Sequence, residues 1–516
     1  MQVTEPLLTV MAAAFSGLCV TVGLERFLRP APNFFRPRRA WIIHVGLWLC
    51  AYGLCTLFLG HPWFAAGFAV AVFFILIQVS NAKIDLLKEP FVFQDYMYFL
   101  DTIRYPRLYL PFFGWKNFLI AAAGVLLVIV GYIIVFPVIR PAPWAHVWGG
   151  TVGGIGAGML FLCASAKSPL PGSFEPEADI RQLGFLPCLW HYYLSGRTLP
   201  AETSPFSGLM ATKASCSSSF LPHLVAVQSE SFVDPRTLSP DIRADLLTDY
   251  DTLKTQAQSW GKLHVPAWGA NTVRTEFAFL SGIPNAHLGV HRFEPYRAVA
   301  QGWHVASLAM FLKSLGYRTL CIHPYEGRFY LRDRVLPLLG FDQFWDAGAF
   351  AGTARFGPYT SDIAVGEKVM ETLKNALQPV FLFVITMENH GPLHLEKITP
   401  TDINALYARL PEPHFHDLTV YLRHIRNANQ MIANLQTEMA NLNHPASLCW
   451  YGDHIPIMPK VYGAYGTPPG DVEYVLWNND NSGRGDLQSL AVHQLAPAWL
   501  GHLPNLMSYG IKATFP

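Results

Sequence analysis

Polar residues stand directly after apolar runs at four places in this sequence: Gln228-Ser229-Glu230 after 224–227, His323 after 319–322, Thr386-Met387-Glu388-Asn389-His390 after 380–385, and Gly452-Asp453-His454 after 448–451. The carboxylates of Glu230 and Asp453 and the imidazole of His454 offer O, O and N donors, a set suited to Mn²⁺ or Zn²⁺. An Asp-His pair after a strand also occurs as a loop that only binds water. The segment from Gly269 to Phe277 reads as a glycine-marked turn entering a helix. A hydroxyl there, that of Thr272, sits where free backbone N–H groups and the helix dipole stabilise an anion. Beside a divalent cation Thr272 would ionise readily enough to attack phosphorus; as an N-cap it would only satisfy backbone donors.

These residues need a frame. Five apolar runs, 224–227, 319–322, 380–385, 448–451 and 474–477, are separated by helix-sized segments. Continuous apolar strands of this length imply a largely parallel sheet covered on both faces. Ligands of such sheets bind at the carboxyl ends of the strands, and four of the five runs deliver a carboxylate or imidazole there. The expectation is an α/β domain over 221–516.

The rest of the chain is of another kind. Hydrophobic residues make up 51% and charged residues only 14% of the 516 positions, against roughly 25% charged in an average soluble protein, and the mean hydropathy is +0.24. Stretches 7–24, 41–60, 63–80, 118–136 and 144–166 each approach the roughly 20 apolar residues that span a bilayer. Glu25, Arg26 and Arg29 follow the first run where a cleavage site would need small residues, so it reads as a retained helix. The fifth is rich in glycine, which permits close helix packing in lipid. The expected domains are therefore a five-helix transmembrane region at 1–167, a Pro/Ser/Gly-rich connector along the membrane surface at 168–220, and the α/β domain. A formal charge of +1 gives no field for nucleic acid, and no G-x-x-x-x-G-K-[ST] stretch offers a nucleotide site. The eight cysteines at 19, 50, 55, 163, 188, 216, 321 and 449 contain no C-x-x-C pair and read as isolated core thiols.

The order Glu230 after a strand, Thr272 with Glu276-Phe277, His323 with Tyr330 and Arg332, Asn389-His390-Gly391-Pro392, then Tyr451-Gly452-Asp453-His454 resembles the lipoteichoic acid synthase group. That group includes phosphoglycerol transferases and lies within the alkaline phosphatase and sulfatase superfamily. The likeness extends to five spans ahead of the globular part and to the polar stretch from Asn81 to Asp95. It implies that Glu230, Thr272, Asp453 and His454 bind one metal, Mn²⁺ in the synthases, with Zn²⁺ or Mg²⁺ as alternatives. Thr272 would be the nucleophile. His323, Arg332 and His390 would surround the phosphate and the glycerol hydroxyls, with Tyr330 where the synthases place a tryptophan. Arg332 offers a planar fork to phosphate oxygens, and His390 could protonate a leaving alkoxide.

Tyr325 stands where the synthases place an acidic residue, and Asn429 replaces an expected aspartate, read as structural. No C-x-P-x-R or S-x-P-x-R motif surrounds Thr272, which argues against a formylglycine sulfatase. The implied reaction takes a phosphoglycerol headgroup from phosphatidylglycerol to a glycan or polyol-phosphate acceptor through phosphothreonine. A phosphoethanolamine transferase, a hydrolase of the same superfamily and a non-catalytic binder are the alternatives. By the positive-inside rule, Arg26, Arg29, Arg36, Arg38 and Arg39, and then Lys83, Lys88, Arg104, Arg107 and Lys116, place the C-terminal domain in the cytoplasm if there are five spans. The resemblance implies the reverse, a multi-pass protein of the bacterial inner membrane with an extracytoplasmic catalytic domain, and that is the expectation kept.

Overall fold

The computed structural model describes residues 4–107, scattered positions between 114 and 134, and 144–166, 170–211, 221–480 and 483–503. The chain divides into two compact units, Met1–Thr198 and Leu199–Pro516.

In the first unit, α1 (Thr4–Leu24), α2 (Arg38–Leu59), α3 (Pro62–Leu87) and α4 (Trp144–Ala166) supply the four helices that, among the described residues, are long and apolar enough to cross a membrane. The count of five stops at four here, because the expected span 118–136 lies largely outside the described residues. Close packing of α4 on α2 rests on Gly158, where an added Cβ would lie 2.7 Å from both Cys50 Sγ and the Gly46 carbonyl, whereas Gly153, Gly154 and Gly156 meet nothing within 4 Å. Helix α3 runs past the apolar stretch and carries Asn81 and Lys83 within it. Lys83 is buried between Glu89 and Asp95, 2.6 Å from each, and Arg36 is buried against Glu25 at 2.6 Å. Two cations counted as loop charges are thus internal ion pairs, which weakens the charge argument for a cytoplasmic domain. The segment expected to be a plain connector holds α5 (Pro176–Leu183) and α6 (Phe185–Ser195), and a further turn of helix at Pro205–Ala211 belongs to the second unit.

The second unit is built on β1 (His223–Ser229), β2 (Ser259–His264), β3 (Arg318–Ile322), β4 (Gln343–Trp345), β7 (Val380–Ile385), β8 (Ala446–Gly452), β9 (Val472–Asn478), β10 (Asp486–Leu487) and β11 (Leu490–Ala491), with β5 (Arg355–Phe356) and β6 (Tyr359–Thr360) forming a separate hairpin. The order is β10-β2-β9-β8-β1-β7-β3-β4, and β11 also pairs with β2. Strands β8, β1, β7, β3 and β4 are mutually parallel, and β9 is antiparallel to β8 and β2. All five apolar runs are strands, and β1, β7, β8 and β9 are buried along their whole length. Burying each such Val, Leu or Phe contributes about 1.5–3 kcal/mol, which fixes the sheet as the rigid part on which the loops hang.

Helices α7 (Thr272–Ser281), α8 (Arg332–Leu338), α9 (Asp362–Lys374), α10 (His416–Ala440) and α11 (Val492–Gly501) accompany the sheet. Asn429 of α10 accepts from Tyr250 N at 2.9 Å and donates to Asp249 at 2.7 Å, a structural tie. Among the described cysteines, Cys321 and Cys449 are buried in strands, but Cys19 and Cys163 are exposed, so the reading of all as core thiols fails for those two. Cys216 lies outside the described residues.

Candidate metal and phosphoryl-transfer site

The turn after β1 crosses over the end of β8. That crossing needs a residue without a side chain, since a Cβ on Gly452 would lie 2.3 Å from the Phe232 carbonyl oxygen. Ser231 takes a left-handed φ of 51° there, and its N–H donates to Asp453 Oδ1 at 2.8 Å. Asp453 Oδ1 also accepts from His454 N at 2.9 Å, while Asp453 Oδ2 is buried with no hydrogen-bond partner. His454 Nδ1 lies 3.1 Å from the Ile455 carbonyl, which can only accept, so Nδ1 donates there and Nε2 is the ring nitrogen turned toward a cation. That Nε2 faces Asp453 Oδ2 at 3.3 Å, Glu230 Oε1 at 3.6 Å and Thr272 Oγ1 at 3.5 Å. Ligand atoms of Glu230, Asp453 and His454 all lie within 4.8 Å of one another.

Two carboxylates and an imidazole, all buried and with one carboxylate oxygen unpaired, crowd acceptor atoms that a positive charge among them would offset. The residues therefore fit a divalent cation, held by Glu230, Asp453 and His454 with Thr272 at its edge. Thr272 is the first residue of α7, and Asn271, with φ 66° and no capping side-chain bond, holds the N-cap position. The hydroxyl of Thr272 is thus not the cap. Thr275, one turn on, donates to the Asp453 carbonyl at 2.8 Å and ties α7 to the end of β8.

Burial, and then the charge of Asp453, push the Glu230 carboxyl up to about 8. A proton and a cation then compete for Glu230, and the proton is the stronger competitor at low pH. Affinity for Mn²⁺ is expected to rise about 15-fold from pH 6.5 to 8 and about twofold more before it levels off, by one-proton linkage. Calorimetric titration of the EDTA-stripped full chain at several pH values checks this; an affinity indifferent to pH would remove Glu230 from the ligand set.

A second group is built around Arg332. Its Nε donates to Glu276 Oε2 at 3.1 Å and its NH2 group pairs with Glu276 Oε1. Its NH1 group lies 3.2 Å from His323 Nε2, and Tyr296 OH donates to Glu276 Oε2 at 3.0 Å. Burial and the Arg332 charge hold His323 well below the usual histidine range, so it is neutral, with Nδ1–H on the Ile385 carbonyl at 3.1 Å. Tyr330 and Leu331 both have left-handed φ, 56° and 60°, and the Tyr330 ring lies 5.2 Å from the Arg332 guanidinium. Asn389 donates to the Glu230 carbonyl at 3.3 Å. His390 Nδ1 is 2.7 Å from the Gly391 carbonyl, leaving Nε2 as an acceptor. Burial lowers the pKa of His390; the bond to the Gly391 carbonyl and the Asp453 charge raise it in part, and the Arg332 charge lowers it.

The structure therefore brings Glu230, Thr272, Asp453 and His454 together and sets His323, Tyr330 and Arg332 in a second cluster with Glu276. Sequence reasoning assigned no role to Glu276, Ser231 or Thr275, although the i, i+4 spacing of Thr272 and Glu276 on one helix face was a signal that the two serve one site.

Residues 222–505 match the family model described as Sulfatase. The chain belongs to the sulfatase family. It is therefore an enzyme of the alkaline phosphatase superfamily, whose members are metal-dependent. Among relatives of this sulfatase-family chain, the capsular polysaccharide biosynthesis protein RkpI of Rhizobium meliloti is 28% identical over 431 residues, covering 80% of this chain and 77% of the relative. The integral membrane lipooligosaccharide phosphoethanolamine transferase EptA of Neisseria meningitidis shares the fold over 96% of this chain and 97% of that chain, with TM-score 0.55 and 12% identity. The phosphoglycerol transferase GacH of Streptococcus pyogenes, in complex with sn-glycerol-1-phosphate, aligns over 60% of this chain and 88% of that chain, with TM-score 0.48 and 18% identity.

Proposed function

We propose that this chain moves a phosphoglycerol headgroup from phosphatidylglycerol to a hydroxyl of a glycan or polyol-phosphate acceptor, through a phosphothreonine diester on Thr272. The observation that carries the reading is the Thr272 hydroxyl at the first turn of α7, 3.5 Å from His454 Nε2, beside a buried carboxylate oxygen without a partner. A divalent cation bound by Glu230, Asp453 and His454 would supply positive charge that favours ionisation of a hydroxyl and offsets charge on phosphate oxygens.

The residues do the rest. Thr272 Oγ1 forms the bond to phosphorus while the ester bond to diacylglycerol breaks. Arg332, fixed by Glu276 through Nε and NH2, keeps two further N–H groups for phosphate oxygens. His390 Nε2, neutral at pH 7, relays in each half-reaction the proton of the attacking hydroxyl to the departing alkoxide, diacylglycerol in the first and Thr272 in the second. The acceptor hydroxyl then attacks phosphorus and the bond to Thr272 breaks. The described apolar helices anchor the chain in the bilayer that holds the donor, which raises its effective concentration. We place the protein in the bacterial inner membrane with the catalytic domain outside the cytoplasm. The naming of RkpI for capsular polysaccharide biosynthesis supports a surface saccharide as acceptor.

Intact mass of the full chain in detergent, after Mn²⁺ and phosphatidylglycerol, tests the reading. A glycerophosphate adduct is the expected result. A phosphoethanolamine adduct formed only from phosphatidylethanolamine would replace the donor, and headgroup release with no adduct from either lipid would make the chain a hydrolase.

A further inference from the structure

The segment 386–396 carries Asn389 and His390, and a buried polar network pins it at its start, middle and end. At its start, Thr386 Oγ1 accepts from Glu230 N at 3.0 Å. In the middle, Glu388 Oε2 accepts from Asp362 N at 2.7 Å, and Glu388 Oε1 accepts from Asn427 Nδ2 at 2.7 Å. At the end, Glu396 Oε2 accepts from Arg423 NH2 at 2.8 Å. One side chain joins the middle to the end: His424 of α10, fully buried, lies 2.9 Å from Glu388 Oε1 through Nδ1 and 3.1 Å from both oxygens of Glu396 through Nε2.

Ionised carboxylates only accept hydrogen bonds, so a histidine that serves one on each ring nitrogen carries both protons and a positive charge. Glu388 and Glu396 then balance His424 and Arg423. The hairpin closes over this cluster: the Phe356 ring meets His424 edge-on at 5.5 Å and Arg423 over its face at 5.1 Å. Gly357 packs so tightly that an added Cβ would lie 2.5 Å from Glu396 Oε2. The same hairpin supplies Tyr359, whose hydroxyl donates to the Gly391 carbonyl at 3.2 Å and whose ring lies 5.8 Å from that of His390.

We propose that doubly protonated His424, bridging Glu388 and Glu396, is a positioning residue that fixes the 386–396 segment and through it the reach of His390 to the phosphorus. The inference rests on the role given to His390 above. The groups that face His424 are Glu388 and Glu396 from the segment, Arg423 and Asn427 from its own helix, and Phe356 from the hairpin, with Asp362 acting from behind Glu388. Burial alone would lower the pKa of His424, but its hydrogen bonds and charge interactions with the two glutamates outweigh that and raise it to about 9. The clamp therefore holds through neutral pH and opens as pH rises past about 9, when the bridging proton leaves.

The test compares wild type, Glu388→Gln and His424→Gln as full chains in detergent with Mn²⁺, by two readouts. The first is turnover of bis(4-nitrophenyl) phosphate from about pH 6.5 to about pH 10; the second is deuterium exchange of peptides covering 386–396 over the same range. Glu388→Gln keeps the shape and removes one of the two charges that hold the proton. Its alkaline loss of turnover and of exchange protection is expected about one pH unit or more below that of wild type. His424→Gln is expected to lack the alkaline step and to lose about tenfold or more in kcat, with KM within about threefold. A glutamine variant at 388 whose profiles match wild type apart from a constant factor would overturn the proposal, as would a His424→Gln variant with wild-type kcat. Should wild type fail to turn over the diester, the role of His390 at phosphorus fails, while the exchange profiles still decide whether His424 holds the segment.

Discussion

Thr272→Ala is expected to abolish the headgroup adduct and to lower turnover by about 10³- to 10⁵-fold, with little change in stability. The two halves of this prediction have separate physical grounds. Loss of turnover follows because removing the proposed nucleophile leaves only binding and the charges of the site to act on the proposed phosphodiester substrate. Retention of stability follows because Asn271, not Thr272, is the N-cap of α7, and the methyl and hydroxyl removed make no capping bond. The Thr275 bond to the Asp453 carbonyl keeps α7 in place. Thr272→Ser restores a hydroxyl and should recover most of the adduct. Intact mass and turnover, read beside a thermal melt, decide the matter; an alanine variant that still forms the adduct would move the nucleophile elsewhere.

The second large effect is at Glu276. Arg332 is 1% exposed and Glu276 is 0% exposed, so Glu276→Ala strands a guanidinium in a medium that cannot solvate it. Breaking a buried pair from one side costs about 3–5 kcal/mol, and here the Tyr296 hydroxyl also loses its acceptor. The fall in melting temperature of the catalytic unit should exceed that of Thr272→Ala by a wide margin. Glu276→Gln, which keeps one acceptor oxygen, should fall between them. Replacing the pair together by Gln and Met should cost less than Glu276→Ala alone, since no unpaired charge remains. A Glu276→Ala chain as stable as wild type would show that Arg332 finds another partner. It would then lose the fixed orientation on which its proposed phosphate contact depends.

Much of the frame was legible because β1, β3, β7, β8 and β9 are buried on both faces and so read as unbroken apolar runs. Strand β2, Ser259–His264, has a half-buried, alternating pattern and a lysine at 262, which gives no such run. Strand β4 is three residues long, below any period. That Glu230, Asp453 and His454 lie together could be read because each follows a strand and the sheet brings strand ends together. The Glu276 to Arg332 pair and the His424 bridge could not. Their partners are 56, 36 and 28 positions apart, and nothing in local spacing distinguishes a bridging histidine from an ordinary buried one. Helix α3 outran its apolar stretch because Lys83 found carboxylates to bury against, and a sequence window sees only the charge.

Strand β1 lies between β7 and β8, both of which come far later in the chain. Glu230 and Thr386 are 156 positions apart, and Ser231 and Asp453 are 222 apart. During synthesis, β1 is therefore an apolar strand with neither neighbour until most of the domain has emerged, and it depends on protection from association for that interval. Because Asp453 and His454 follow Glu230 so late in the chain, the candidate cation site assembles only after the sheet strands between them have been made. A chain halted before position 453 then lacks two of the three groups of that candidate site.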